Sequence, residues 1–339
     1  ADLSFIEAAS SEIGPVLCEG AIVVNKSTVP VGTTIVVDEV IQRADIKVVS
    51  NPEFLREGTA VNDFLHPDRV VVGADDRGAA ERVAALYSSI ETEFIITDAA
   101  SAETIKYAAN GFLAMKISFV NSVAAMCEAV GADVIDVVEG IGSDRRIGRE
   151  FLQPGPGWGG SCFPKDSHSL VHLAETHGYG FSMMRGVIAV NDEQRERMVR
   201  KVQRAAGTND LNGMTISALG LTFKAGTDDL RDSPSLAIIG RLRELGATVR
   251  AYDPTTTGRL SRIQESFLEG INIQQSVEQA MREGDVLVIL TEWPEFRSLD
   301  FEQVKELLSG SAIVDTRNLL DPQSVRAAGL VYDGVGRKA

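Results

Sequence analysis

One cysteine stands at the end of a run built largely from backbone-permissive residues: Pro154-Gly155-Pro156-Gly157-Trp158-Gly159-Gly160-Ser161-Cys162-Phe163-Pro164-Lys165-Asp166. Glycine lets a backbone pass close to a ligand and adopt positive φ. Pro164 suits the first turn of a helix, where its missing N–H goes unmissed. The apolar residues Leu170, Val171, Leu173 and Ala174 carry that helix on to Gly178. Cys162 is therefore expected just ahead of a helix N-terminus, where the dipole and free N–H groups favour a thiolate nucleophile. Lys165 and Asp166 add a cation and a base to the same first turn. A lone cysteine is more often a small buried hydrophobe, and a Gly/Pro-rich run is more often only a loop. Cys18 and Cys127 fit that plainer description, each in an apolar helical pattern; the flanks of Cys162 set it apart.

Lys106 and Asn110 are four residues apart and so share one helical face. They lie in an apolar stretch, where a lysine that does not reach water calls for a partner or a task. Thr28, Glu53 and Glu57 each follow the end of an expected strand. Thr28 could equally be a plain N-cap and Glu57 a solvated charge. No metal-ligand spacing and no Ser-His-Asp signature is present. His66, His168, His172 and His177 read as incidental, three of them on or at the end of one helix.

The elements that must hold these residues alternate. Strands are expected at Ala21–Asn25, Ile46–Ser50, Arg69–Val72 and Phe94–Thr97. Lys26–Thr34 opens a helix running to about Arg43, and Ala79–Ser89 is a further helix. Asn51–Gly58 is a loop or broken helix. Such spacing predicts an α/β fold with a mainly parallel, doubly wound sheet, whose ligands lie beyond the carboxyl ends of the strands. From Ser101 to about Val130 there is no proline and one glycine, which predicts a long helix with little polar face, buried or shared with another subunit. Asp133–Gly140 is a shorter helix, Gly142–Gly148 a basic turn, Val187–Ala205 another helix, and Gly207–Asp210 a linker. The last third predicts a second Rossmann-like domain, with strands at Thr215–Leu219, Thr248–Tyr252, Asp285–Leu290, Ala312–Asp315 and Leu330–Asp333. Ser233-Pro234 is expected to cap a helix ending at Leu245. Gly220 and Gly226 lack the dinucleotide spacing. Lys224 and Arg231 sit where a helix would meet phosphate. Asp253 closes a strand where an acid could reach a ribose, or simply forms a turn with Pro254.

The totals bound the partners. The chain has 339 residues and a net charge of 33 − 48 = −15, which argues against nucleic acid or an anionic membrane as a partner. Three distant cysteines make no disulfide framework and fit a cytoplasmic setting. No uninterrupted apolar run approaches about 18 residues, and no signal peptide opens the chain. Ala1-Asp2-Leu3-Ser4 reads as a helix start, so the chain is expected to enter a domain part-way through.

Six stretches in order resemble the nucleotide-sugar dehydrogenases of the UDP-glucose 6-dehydrogenase and GDP-mannose 6-dehydrogenase type. They are Lys26–Thr33, Asn51–Gly58, Lys106–Asn110, Gly155–Asp166, Gly220–Pro234 and Asp315–Asp321. Gly159–Asp166 is most similar to the UDP-glucose branch; GDP-mannose and UDP-N-acetyl-sugar branches stay open. The resemblance implies NAD as cofactor, a UDP-sugar as substrate, and oxidation of a C6 alcohol to a carboxylate with two NAD+ consumed. A thiohemiacetal and then a thioester on Cys162 would hold the sugar between oxidations. It implies that Lys106 and Asn110 steady an oxyanion, that Asp166 positions water or relays protons, and that Glu53 drives thioester hydrolysis with water oriented by Thr28. Glu57 would lie beside the cofactor and, with Thr28, help hold it; Lys165 and Arg231 resemble cofactor-phosphate contacts. Substrate contacts are implied at Glu53, Phe54, Leu55, Lys106, Asn110, Phe151, Gly155, Gly159, Phe223, Lys224 and Arg317. Arg146 resembles an arginine that crosses a subunit interface, so a homodimer or higher homo-oligomer is implied.

The expected division is 1–98 for the remainder of an NAD-binding domain, 99–208 for a central helical catalytic and dimerisation domain, and 209–339 for a UDP-binding domain. The family's opening GxGYxG turn is missing, which implies a truncated N-terminal domain, on the order of 80 residues short, and a chain that binds NAD feebly. A non-catalytic nucleotide-sugar binder and an NAD-independent thiol acyltransferase are the alternatives of other classes.

Overall fold

The structure is a computed structural model that describes residues 3–337, so the expected helix start at Ala1 and Asp2 lies outside the described residues. The chain forms two compact units. One holds the residues up to Phe112 together with Asp166–Phe181; the other holds Leu113–Lys165 and the residues from Ser182 on.

The first unit begins with α1 (Ser4–Ile13), followed by β1 (Ile22–Asn25), α2 (Thr33–Ile41), β2 (Lys47–Ser50), α3 (Ala60–Leu65), β3 (Arg69–Gly73), α4 (Arg77–Ala85) and β4 (Glu93–Thr97). Its sheet runs β1-β2-β3-β4. β1 with β2 and β3 with β4 are parallel, as expected. β2 meets β3 antiparallel, through the single pair Ser50 and Gly73. That reversal was not foreseen. Beyond it the ladder is replaced by a side chain, since Asn51 Nδ2 donates to Val71 O at 2.7 Å. Val49, Val72 and Ala80 are fully buried where α4 covers the sheet. The short helix α3 also went unread.

α5 (Ala99–Val130) follows, starting two residues earlier than expected. By length and composition this helix could cross a membrane, although it contains no uninterrupted apolar run of that length. Its buried positions nonetheless include Glu103, Lys106, Asn110, Ser118 and Asn121 beside Ala114, Val120, Ala124 and Cys127. α6 (Val134–Gly142), α7 (Phe163–Thr176) and α8 (Ser182–Ala206) complete the helical part. Cys127 is buried as expected, but Cys18 is exposed in a loop, not in a helix.

The second unit carries β5 (Thr215–Leu219), α9 (Pro234–Glu244), β6 (Thr248–Tyr252), α10 (Arg262–Phe267), β7 (Asn272–Ile273), α11 (Val277–Met281), β8 (Val286–Ile289), α12 (Phe301–Leu307), β9 (Ala312–Asp315), α13 (Pro322–Ala327) and β10 (Val331–Gly334). The sheet order is β10-β9-β8-β5-β6-β7, and among the described residues every pairing in it is parallel. This is the doubly wound order, with its topological switch between β5 and β8. Helices cover both faces, so the central strands read as unbroken apolar runs; all four residues of β8 are buried. Ile238, Ile239 and Leu242 of α9 pack with Met198 and Val202 of α8 on one side. Met281, Phe296, Val304 and Val325 pack on the other. Ser233 does not cap α9 with its side chain. Its hydroxyl instead donates to Leu221 O at 2.6 Å, tying the helix start to the turn after β5.

Candidate active site

In the first unit, one face of α5 gathers the groups that could handle protons and water. Lys106 is only 4% exposed. Its ammonium donates to Glu53 O at 2.6 Å and to Glu53 Oε1 at 3.2 Å, so a buried cation is both paired and hydrogen-bonded, the condition for keeping its charge. Its Nζ also lies 5.3 Å from the centre of the Phe54 ring, which carries the Arg69 guanidinium at 4.0 Å. One turn on, Asn110 Nδ2 donates to Asp166 Oδ2 at 2.6 Å, both residues buried. Asp166 comes from the first turn of α7. Burial, and then the charge of Asp166, push the Tyr107 hydroxyl up to about 12.

The loop after β2 is pinned by Glu53 itself, whose Oε2 accepts from Leu55 N at 2.6 Å. Leu55 is exposed, and Glu53, Phe54 and Glu57 are half-buried. Thr28 is half-buried on the loop between β1 and α2, well before the first residue of that helix, so it is not an N-cap. Beside it, Lys26 Nζ donates to Asn51 Oδ1 and the Tyr87 hydroxyl at 2.8 and 2.9 Å.

The second unit holds Cys162 and the glycine run. Three side-chain amides fix that run from the helices: Asn121 Oδ1 accepts from Gly155 N at 2.8 Å, Gln194 Nε2 donates to Gly155 O at 2.7 Å, and Asn191 Oδ1 accepts from Trp158 N at 2.8 Å. The indole of Trp158 donates to Ser118 Oγ at 2.9 Å. The run then lies against the strand ends of the second sheet. A Cβ on Gly155 would stand 3.7 Å from an Arg317 guanidinium nitrogen. A Cβ on Gly159 would collide with Asp232 O. At Gly160, φ is +81° and a Cβ would come within 2.8 Å of the Phe223 ring. Half-buried Cys162 follows two residues later, immediately before α7, with its sulfur 3.6 Å from Ser161 Oγ. The Phe151 and Phe163 rings meet at 6.3 Å.

At the switch point, Arg317 donates to Leu290 O and Phe223 O at 2.9 and 2.8 Å and pairs with Glu292 at 3.1 Å. Its loop is held from below by Asp315, whose carboxylate accepts from the N–H of Arg317 and of Leu320 and from the Tyr332 hydroxyl. Lys224 lies 5.5 Å over the Phe223 ring. The second unit thus brings Gly155, Gly159, Phe223, Lys224 and Arg317 together with the loop bearing Cys162. Arg231 pairs with its neighbour Asp229 at 2.8 Å. Arg146 pairs with Asp144, and its side chain is 88% exposed. Lys165 is exposed at the start of α7, and all four histidines are exposed.

Asp253 does not serve a ribose. It is fully buried, and its carboxylate accepts from the N–H groups of Leu221, Thr222 and Thr255 and from the Trp293 indole. An internal carboxylate thus closes the turn after β5, where a dinucleotide fold would need glycines around a pyrophosphate. A second such case escaped the sequence reading. The buried carboxylate of Glu103 accepts from Gly32 N at 2.6 Å, Thr34 N at 3.0 Å and Thr34 Oγ1 at 2.6 Å, filling the N-terminus of α2. Glu103 precedes Lys106 by three residues on α5, a spacing that could have drawn attention to it.

Three family models match the chain. The UDP-glucose/GDP-mannose dehydrogenase family's NAD-binding domain matches residues 1–91, its central domain 100–193, and its UDP-binding domain 217–322. UDP-glucose 6-dehydrogenase of Rhizobium meliloti is 45% identical over 99% of this chain and 78% of its own length. UDP-glucose 6-dehydrogenase TuaD of Bacillus subtilis is 45% identical over 100% of this chain and 74% of its own. A solved UDP-glucose dehydrogenase from Pyrobaculum islandicum superposes with a TM-score of 0.89 at 34% identity, covering 99% of this chain and 76% of that one. The chain spans about three quarters of the length of each of these relatives.

Proposed function

The chain belongs to the UDP-glucose/GDP-mannose dehydrogenase family, and from that premise we propose that it oxidises UDP-glucose to UDP-glucuronate through a covalent intermediate on Cys162. The observation that carries this reading is the seating of the Cys162 loop against Phe223 and Arg317 at the switch point of the second sheet. A nucleotide diphosphate held there by Lys224 and Arg317 would carry its sugar toward the thiol.

The family's oxidant is NAD. In the first unit, Thr28 and Glu57 offer a hydroxyl and a carboxylate at strand ends, groups that suit the hydroxyls of a nicotinamide ribose. The N-terminus of α2 is filled by Glu103 and offers no place for the diphosphate. When bound, held by Thr28 and Glu57 with phosphate contacts from Lys165 and Arg231, NAD supplies the hydride acceptor.

The chain's own residues do the rest. Cys162 Sγ adds to the C6 carbonyl carbon and keeps the sugar in place as a thiohemiacetal and later as a thioester. Lys106 and Asn110 donate to the developing oxyanion, where fixed donors count most. Glu53, its Oε1 beside the Lys106 ammonium, takes a proton from the water that opens the thioester, and Thr28 orients that water. Asp166, held by Asn110, relays the proton to and from the sulfur. Substrate contacts extend to Phe54, Leu55, Phe151, Gly155 and Gly159, and Arg146 reaches a neighbouring subunit. The apolar stripe of α5 supports a homodimer, and three unpaired cysteines support a cytoplasmic setting. We assign the NAD-binding, catalytic and UDP-binding tasks to 1–98, 99–208 and 209–339.

The test counts NADH per UDP-glucose. Two supports the four-electron reaction, one reduces Cys162 to a structural role, and none favours a binder or a different sugar. Alkylation of Cys162 gives an independent reading, because bound UDP-glucose should slow it.

A further inference from the structure

We infer that Glu103 is a positioning residue that fixes the Thr28-bearing turn, an inference that rests on the role just given to Thr28. The face of α5 in the first unit works as a collector of loops. Asn110 holds α7 through Asp166. Lys106 holds the loop after β2 through the carbonyl and carboxylate of Glu53. Glu103, one turn earlier, holds the loop after β1 through Gly32 and Thr34.

The chemistry of the contact is specific. A carboxylate only 3% exposed survives in a folded core when its oxygens are met by donors. Glu103 meets three, two of them N–H groups at the start of α2, where the helix dipole favours an anion. Gly32 sits at φ +95° and a Cβ there would touch nothing, so its glycine serves the backbone conformation rather than close packing. That conformation turns the Gly32 N–H onto Glu103 Oε2. The turn also includes Val29, buried, and Thr33, whose hydroxyl donates to Pro30 O at 2.6 Å. Thr28 therefore leaves a segment anchored at one end by β1 and at the other by Glu103. Glu103 touches neither water nor sugar in this scheme; it acts through the turn.

The test uses the isosteric Glu103→Gln and, from the other side of the contact, Thr34→Val. The first readout needs no turnover. Amide hydrogen exchange at Gly32 and Thr34 should quicken roughly 10- to 100-fold in Glu103→Gln, the range expected for losing charge-assisted hydrogen bonds, while amides of α7 exchange as before. The two changes should be non-additive. Unchanged exchange at Gly32 and Thr34, or equal loss of protection throughout the first unit, overturns the inference.

The second readout follows intact mass during turnover with UDP-glucose and NAD+. With NAD+ saturating, Glu103→Gln should accumulate the acyl adduct on Cys162, with the first NADH released at the wild-type rate and KM for UDP-glucose unchanged, while KM for NAD+ rises because Thr28 also holds the cofactor. An equal slowing of both NADH releases also overturns it. If the unaltered protein forms neither NADH nor adduct, the catalytic reading of Thr28 fails, while the exchange measurement still decides whether Glu103 holds the turn.

Discussion

At the scale of single residues, the buried charges explain themselves by what they hold. Lys106 loses hydration on folding and recovers it from one carbonyl and one carboxylate of Glu53. Because Glu53 is partly exposed, removing the lysine leaves no stranded buried anion. Lys106→Met should thus lower kcat about 100- to 1,000-fold, as for a lost oxyanion donor, with a melting temperature shifted by no more than about 4 °C. A collapse of both together would place Lys106 in the scaffold instead. Tyr107 gives a pH prediction. Its pKa in the fold, about 12, is above the ordinary value of 10, mainly from burial. The neutral phenol is the form the fold prefers, so its stabilisation is complete below pH 10 and is lost as pH rises toward about 12. Melting curves of Tyr107→Phe should show a shallower loss in that alkaline window. Lys106 and Asn110 were legible because polar residues four apart in an apolar helix demand an account. Glu103 was not, since an acid in the first turns of a helix ordinarily reads as a solvated charge favoured by the dipole.

At the scale of elements, the glycine run shows what composition reveals and what it withholds. Four glycines ahead of a cysteine announced a backbone that passes close to something. What it passes close to is the Phe223 ring, 63 positions beyond Gly160 in the chain, and no local pattern names that neighbour. Nor does sequence name Asn121, Asn191 and Gln194, which hold the run from two different helices. For Asp253 the sequence left a ribose contact and a turn with Pro254 both open, and the structure makes it the turn. An acid ending the second strand of such a fold suggests a ribose, yet here the turn after β5 lacks the dinucleotide glycines and the carboxylate is spent on its N–H groups. The run yields a prediction. Gly160→Ala adds strain at positive φ and a collision with Phe223, so it should cost about 1–3 kcal/mol and weaken UDP-glucose binding at least tenfold. Calorimetric titration together with thermal melts would show it; unchanged affinity would mean that the loop does not shape the sugar site.

At the scale of the molecule, the alternation of strands and helices foretold two α/β sheets, and both are present. The order of strands was beyond reach, because it depends on which faces the crossovers cover. The antiparallel seam between β2 and β3 was hidden likewise, since it rests on one backbone pair and the side chain of Asn51. The long helix raises the last question. Within the second unit, Phe119, Met126 and Val130 of α5 are 56%, 56% and 71% exposed, and with half-buried Val123 they recur at spacings of four, three and four. That is the stripe a helix presents to a partner. A chain with net charge −15 repels its own copies at long range, so an association at this face must come from apolar burial and should strengthen with salt. Light scattering after size exclusion should therefore give a dimer at moderate ionic strength. Phe119→Glu with Met126→Glu should give a monomer whose melting is nearly unchanged, because neither side chain supports the core. A dimer that survives both changes would move the interface away from α5.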